Sequence, residues 1–334
     1  MRNFDGGLAR LGAYPRYSLC AWPTPVERHE LRNGPAIWVK RDDLSGWGRG
    51  GAKARKVEHL LGHLLAHGYT DLVTVAGNVT NLAFDLLPAL DRAGIAGHLH
   101  IIDDPPVTAA ERAQIFSGIA ERVTLLGPSR REAFRRTWQR WFELRRQGRK
   151  PLWVMPGVSH PAGILGNAAG YLELVEQLEL AGHALPTTVF ITAATGTTVA
   201  GFLMAERLRR QRGGRPIRIV GVQIYEGRTR AATRWLMRWA SLSTGQRLPF
   251  APPVEIASDA LSGGFGRFTP ELAELCERVQ SETGLLIDPI FGGKTWASME
   301  RESARRKPRD GEFLYWHCGY TPEWRTLGKM VNAT

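Results

Sequence analysis

Short apolar runs alternate with longer amphipathic stretches along this chain. Leu72–Val75, His98–Ile102, Val123–Leu126, Leu152–Met155, Thr188–Thr192, Ile217–Val222 and Glu312–Trp316 each read as a strand. Between them the periodicity predicts helices over Ala54–His67, Leu82–Ala93, Ala109–Ala120, Gly163–Leu180 and Val199–Arg212. Strands that alternate with helices argue for parallel sheets covered by helices. There is no internal repeat and no low-complexity segment. Met155–Pro161 holds two prolines and a glycine, which suits a crossing between two lobes. Phe134, Trp138, Trp141 and Phe142 recur at helical spacing, the stripe of a helix packed on something with arginines around the remainder.

Composition narrows this picture. The chain has 334 residues, 43% of them hydrophobic, enough for a large core in two domains or lobes. No apolar run can span a bilayer, and Met1–Gly7 lacks the apolar stretch of a secretory signal. Cys20, Cys276 and Cys318 are too scattered for a disulfide framework or a zinc knuckle, so a reducing cytoplasm is the simplest setting. The formal net charge is +12, which raises a nucleic-acid role. Much of the excess is arginine in 130–150 and 207–218, better read as solvated helix faces, and no zinc-finger, RNA-recognition or helix-turn-helix pattern accompanies it.

Two segments carry candidate chemistry. In Gly50-Gly51-Ala52-Lys53-Ala54-Arg55-Lys56, a lysine follows two glycines and opens an amphipathic helix, where its amine can reach a bound carbonyl compound such as pyridoxal phosphate. Ala194–Gly201 follows a buried strand and opens a helix; its glycine turn, three threonines and helix dipole suit an anion. It is neither a Walker loop nor a Gly-x-Gly-x-x-Gly dinucleotide turn. An ordinary threonine-capped turn is the plainer alternative.

Five segments in order resemble the 1-aminocyclopropane-1-carboxylate deaminase and D-cysteine desulfhydrase family of pyridoxal-phosphate enzymes: Gly50–Lys56, Gly77–Asn81, Ala194–Gly201, Asp288–Lys294 and His317–Pro322. The resemblance runs from about Tyr17 to Pro322. It implies a two-lobed tryptophan-synthase-β-like α/β fold, with residues 1–52 and 161–334 as the large cofactor-binding domain and 53–160 as the small one. It also implies pyridoxal 5'-phosphate as cofactor, an amino acid as substrate and a homodimer. Lys53 would bind the cofactor covalently and shuttle a proton. Thr80 would stand near the substrate, and Asn81 would bond the cofactor or the substrate carboxylate, with helix capping as its other role. Thr195, Gly196, Thr197 and Thr198 would hold the phosphate. Cys318 would lie beside the pyridine nitrogen, unless it is an inert buried thiol.

The chain also departs from that family. Where the resemblance implies two tyrosines and an acid, the sequence has Phe265, Phe291 and Gly292, and a phenylalanine cannot transfer a proton. Ala52 and Leu82 replace polar residues. No efficient 1-aminocyclopropane-1-carboxylate deaminase activity is therefore expected, and Phe265 and Phe291 point to a less polar substrate pocket. A neutral Cys318 thiol would leave the cofactor a weaker electron sink, which favours a β-substituent that leaves quickly. His160 opens a helix on the substrate side and is a candidate acid or base in place of the lost tyrosines, or a cap. His59, His63 and His67 recur every four residues but fall on or near the solvated side, so no metal site is expected. The reading is a pyridoxal-phosphate-dependent lyase or deaminase working by Cα deprotonation and β-elimination. Its alternatives are a β- or γ-replacement synthase in specialised metabolism and a non-catalytic basic nucleic-acid- or partner-binding relative.

Overall fold

The computed structural model describes residues 14–32, 34–244, 253–305, 311–327 and 329–330. The Met1–Gly7 segment discussed above lies outside them. Strands β1 (Val26–His29) and β2 (Ile37–Arg41) start a six-stranded sheet, which the chain then leaves. It builds a four-stranded sheet from β3 (Asp71–Gly77), β4 (Ala96–Ile102), β5 (Val123–Leu126) and β6 (Pro151–Trp153), in the order β5-β4-β3-β6. It returns through β7 (Thr188–Ala193), β8 (Arg218–Gln223), β9 (Glu255–Ala257) and, after β10 (Arg267–Phe268), through β11 (Phe313–His317). The large sheet runs β1-β2-β11-β7-β8-β9, and only β1 is antiparallel. All pairs of the small sheet are parallel.

These are the helix-covered parallel sheets that the alternation of runs predicts, in the two-lobed α/β architecture that the resemblance implies. Strands β3, β7, β8 and β11 are almost wholly buried, as parallel strands covered on both faces must be. The helices include α1 (Ala52–Ala66), α2 (Leu82–Arg92), α3 (Ala109–Ile115), α4 (Arg130–Arg146), α5 (Pro161–Leu180), α6 (Thr197–Arg210), α7 (Thr229–Ser243), α8 (Pro270–Thr283) and α9 (Gly292–Ser303). Helix α3 stops short of the sequence expectation, because Gly118 turns the chain in the left-handed region (φ 79°).

Two local readings change. Helix α4 buries Ala133, Thr137 and Leu144, while Trp138 and Phe142 stay 41% and 53% exposed. The aromatic stripe therefore packs mostly on itself and on Trp153, at the flank of the small sheet. His59 is buried rather than solvated, since α1 is covered by α5 as well as by α2. Burial pushes its imidazole down to about 4.

Helix α1 joins the two lobes. Gly166 and Gly170 of α5 let it approach closely; a Cβ at Gly166 would stand 2.2 Å from the Arg55 carbonyl oxygen, and one at Gly170 2.6 Å from Arg55 Cδ. Arg55 passes through this gap fully buried. Its Nε and Nη2 donate to Asp42 at 2.8 and 2.7 Å, and its Nη1 and Nη2 to Glu173 at 2.9 and 2.8 Å. Trp316 Nε1 and Thr24 Oγ1 also donate to Asp42, each at 2.8 Å. Lys40 Nζ donates to Glu173 at 2.6 Å. Burial alone would raise the Asp42 carboxyl, but the Arg55 guanidinium outweighs it and holds it below the usual range.

Removing one member of such a network leaves an uncompensated buried charge. Arg55→Met is expected to cost about 3–5 kcal/mol of stability, read from urea unfolding midpoints. The contribution of Asp42 is fully present above the ordinary carboxylate value near ~4 and is lost as the pH falls through its lowered folded value. The gap between wild type and variant should therefore narrow as the pH drops below about 4.

Candidate active site

A cavity of about 430 Å³ opens between the two sheets, at the C-terminal ends of their parallel strands. Gly77 closes β3, Ile102 closes β4, Ala193 closes β7, and Cys318 follows β11; all four line it. Open parallel sheets bind ligands at this end. Lys53, Thr80, Asn81, Thr195, Gly196, Thr197, Thr198, Phe265, Phe291 and Cys318 all line this one cavity. Residues from five distant stretches of sequence thus meet around Lys53.

The backbone aims Lys53. Gly51 has φ 90°, and a Cβ there would lie 1.6 Å from the Cys318 carbonyl oxygen. Only glycine lets the chain rest on the end of β11 and start α1 at once. Gly51 N donates to Asp42 O at 2.7 Å, and Gly50 N to Trp47 O at 2.8 Å. Lys53 Nζ then stands 5.6 Å from the Phe291 ring centre, and the Phe265 and Phe291 rings meet edge to face at 6.0 Å. The wall facing the lysine is apolar.

At one end the geometry suits a phosphate. Helix α6 begins at Thr197 after Gly196 (φ 84°), and its first turn has no side-chain cap. Thr195 and Thr197 hydroxyls lie 3.0 Å apart, and the Ser159 hydroxyl lies 2.7 Å from that of Thr197. Free N–H groups, hydroxyls and the helix dipole form an anion cradle. Lys56 completes it. It lies one turn after Lys53, lines the cavity and reaches the Gly157 carbonyl at 3.5 Å. Burial, then the neighbouring charge of Lys53, pushes its ammonium down to about 7. Sequence reasoning missed Lys56, although its i+3 spacing from Lys53 was the available signal.

At the other end two loops are clamped together. Asp288 is buried, and its carboxylate accepts from Ile290 N, Phe291 N and Thr321 N at 3.0, 2.8 and 3.1 Å. Burial still pushes it up to about 6. Asn81 donates to Thr321 Oγ1 at 2.9 Å and accepts from Arg49 at 3.0 Å, so it stitches its loop to the C-terminal segment. Asn81 makes no capping bond for α2; Thr80 Oγ1 accepts from Leu82 N at 3.1 Å. Burial pushes the Cys318 thiol up to about 11, so it is neutral at pH 7. Gly292 is held by its surroundings, since a Cβ there would stand 2.7 Å from the Tyr315 hydroxyl. That hydroxyl is buried with no hydrogen-bond partner among the described residues.

His160 is placed elsewhere. It caps α5, its Nδ1 accepting from Ala162 N at 3.2 Å, and packs on His63 and Trp239. It does not line the cavity, and burial pushes it down to about 3, so its placement favours the capping role over the acid–base one. The described residues contain no cluster of side chains suited to a metal.

A lysine on a helix start, facing an anion cradle across a cleft between parallel sheets, defines a site for a phosphorylated carbonyl cofactor. The chain belongs to the pyridoxal-phosphate-dependent enzyme family, whose model matches residues 17–319. It is thus an enzyme whose cofactor is pyridoxal 5'-phosphate, and its relatives group it with the lyases and deaminases of that family. It is 28% identical, over 94% of both chains, to a Pyrococcus abyssi protein named "Putative 1-aminocyclopropane-1-carboxylate deaminase". It is 27% identical to the 1-aminocyclopropane-1-carboxylate deaminase of Burkholderia vietnamiensis, over 93% of this chain and 96% of that one. A solved 1-aminocyclopropane-1-carboxylate deaminase homologue superposes with a TM-score of 0.78 at 25% identity, covering 93% of this chain and 94% of its own.

Two predictions follow from this geometry. Lys56→Met should weaken pyridoxal 5'-phosphate binding by roughly 10- to 100-fold, the worth of a charge-assisted hydrogen bond, and weaken binding of phosphate-free pyridoxal much less. Calorimetry above pH 7 should show proton uptake on binding in the wild type and a smaller uptake in the variant, because an anion restores the charge of Lys56. Gly292→Ala should cost about 1–3 kcal/mol by overpacking, and Tyr315→Phe in the same chain should restore most of the lost thermal stability.

Proposed function

We propose that this protein is a lyase that acts on a β-substituted amino acid and releases a keto acid and ammonia. The observation that carries the reading is that Lys53 shares one cavity with the anion cradle of Thr195–Thr198 and with the apolar wall of Phe265 and Phe291. When bound, the cofactor supplies the electron sink for the substrate Cα. Thr195, Gly196, Thr197, Thr198 and Lys56 hold its phosphate, and Cys318 faces its ring as a neutral group. Lys53 takes the Cα proton. Thr80, whose hydroxyl proton is free after it accepts from Leu82 N, bonds the substrate. Asn81 holds the carboxylate loop against Thr321.

A neutral thiol and a glycine at the ring end offer no counter-charge, which favours substrates that lose a β-substituent quickly. The relatives named as 1-aminocyclopropane-1-carboxylate deaminases make that compound a candidate, but Phe265 and Phe291 lack the hydroxyls its opening would use. The pocket's apolar walls, with Val75, Ile102, Phe134, Leu236 and Trp235, suit an apolar or aromatic substrate side chain. A division at residues 53–160, a homodimer and a cytoplasmic setting belong to this reading. Among the described residues no helix is long and apolar enough to cross a membrane, and Cys20, Cys276 and Cys318 are free thiols.

Borohydride reduction of the yellow protein should fix the cofactor on Lys53, as read by peptide mass, and Lys53→Ala should abolish it. Both enantiomers of β-chloroalanine and S-alkylcysteines should then yield keto acid. A colourless protein, or a cofactor reduced onto another lysine, would sink the reading. Rapid 2-oxobutyrate release from 1-aminocyclopropane-1-carboxylate would overturn the excluded substrate.

A further inference from the structure

Phe265 and Phe291 leave the substrate side of the cavity without the phenols that the resemblance implies. A different phenol stands there. Among the described lining residues Tyr225 carries the one phenolic hydroxyl. It follows β8, and its loop is fixed by Gln223 Nε2, which donates to Tyr225 O at 2.6 Å and to Gly227 O at 2.9 Å. The ring lies over Gly227 so closely that a Cβ there would stand 2.0 Å from Tyr225 Cε1. The next residue, Glu226, accepts from Phe265 N at 3.5 Å and from Arg267 at 3.2 Å. Tyr225 is therefore held beside the loop that carries Phe265.

The hydroxyl is oriented from the opposite lobe. Arg130, at the start of α4, donates Nη1 to the Tyr225 hydroxyl oxygen at 2.5 Å and Nη2 to Asp104 at 2.6 Å. Asp104 O and Phe265 Cε1 would lie 2.9 and 3.1 Å from a Cβ at Gly77, so this assembly and the Phe265 ring converge on the same cavity wall. Arg130 is the donor in this contact, so the O–H of the hydroxyl is not used by it. The described residues offer that proton no acceptor.

We propose that Tyr225 is a catalytic acid of this site, contacting the β-substituent of the substrate, and that Arg130 is its positioning residue. This rests on the elimination reading above. As Lys53 takes the Cα proton, the C–H pair forms the Cα–Cβ double bond, and the Cβ–X pair leaves with X. The Tyr225 O–H proton moves to X, giving H–X. The phenolate left behind faces the Arg130 guanidinium and regains a proton from water at the exposed rim. The substrate class is an amino acid whose β-substituent is a hydroxyl, alkoxy or alkylthio group: its heteroatom meets Tyr225 and leaves quickly once protonated, while the apolar walls take any carbon beyond it.

The test uses the cofactor-loaded wild type with Tyr225→Phe, Arg130→Gln and Arg130→Lys. For serine and S-methylcysteine, Tyr225→Phe should lower kcat by about 10²- to 10³-fold. For β-chloroalanine, whose chloride needs no proton, the loss should be at least about tenfold smaller. Binding gives a readout without turnover. α-Methylserine and isovaline lack a Cα proton and differ by a hydroxyl against a methyl. Titrated by intrinsic tryptophan fluorescence, wild type should prefer α-methylserine by roughly 5- to 10-fold, and Tyr225→Phe should show no preference. Arg130→Gln should shift the alkaline limb of the serine pH–rate profile, and Arg130→Lys should restore it. Equal losses on serine and β-chloroalanine, or an unchanged preference for α-methylserine in Tyr225→Phe, would overturn the proposal. Failure to trap the cofactor on Lys53 would instead overturn the functional reading beneath it.

Discussion

The buried contact of Arg55 with Asp42 and Glu173 governs this structure. A guanidinium without water is costly, and here two carboxylates from opposite sides of a helix crossing compensate it. Asp42 comes from the turn after β2, Glu173 from α5, and Trp316 of β11 bonds the same aspartate. The charge network therefore fixes the rotation and height of α1 against the large sheet. Lys53 lies two residues before Arg55, so its direction follows from that anchoring. Gly51 does the complementary work by letting the chain lie directly on Cys318.

Much of this was legible in the sequence because parallel strands are buried on both faces and read as continuous apolar runs. Lys53, the Thr195–Thr198 turn and Asn81 were legible because each sits at an element boundary with distinctive residue types. What escaped was tertiary. Arg55 reads as one more surface arginine until its two carboxylates, far apart in sequence, are seen together. Tyr225 sits in a turn with no local signature, and its meaning comes from Arg130 across the cleft. His160 carried two readings, acid–base group or cap: its position before Pro161 marked a helix start, and capping that helix is where its ring is engaged. The aromatic stripe of α4 showed the right period but not how much of it stays open, since the flank of a small sheet is too narrow to cover it.

The surroundings of Gly292 show how a departure from a family pattern becomes fixed. Gly292 is more than a missing acid. The Tyr315 hydroxyl occupies the space into which any side chain there would grow, and Trp296 meets the Tyr315 ring edge to face at 5.0 Å. Restoring an acid would require repacking of β11 and α9 together. The neutral Cys318 thiol at the end of β11 matches this arrangement, since neither position brings a charge to that end.

The site thus has a floor and a rim of different character. The floor, from Gly51 to Lys56, rests on fully buried charges and on backbone contacts too close for a Cβ. The rim, with Arg130, Tyr225 and Trp235, is partly solvated and belongs to a loop and to helix surfaces, where substitutions usually cost little stability. Evolution can therefore retune which molecule is accepted at the rim without disturbing the chemistry of the floor. Divergence in specificity should outrun divergence in reaction type on this scaffold, and the rim is where a designer would begin.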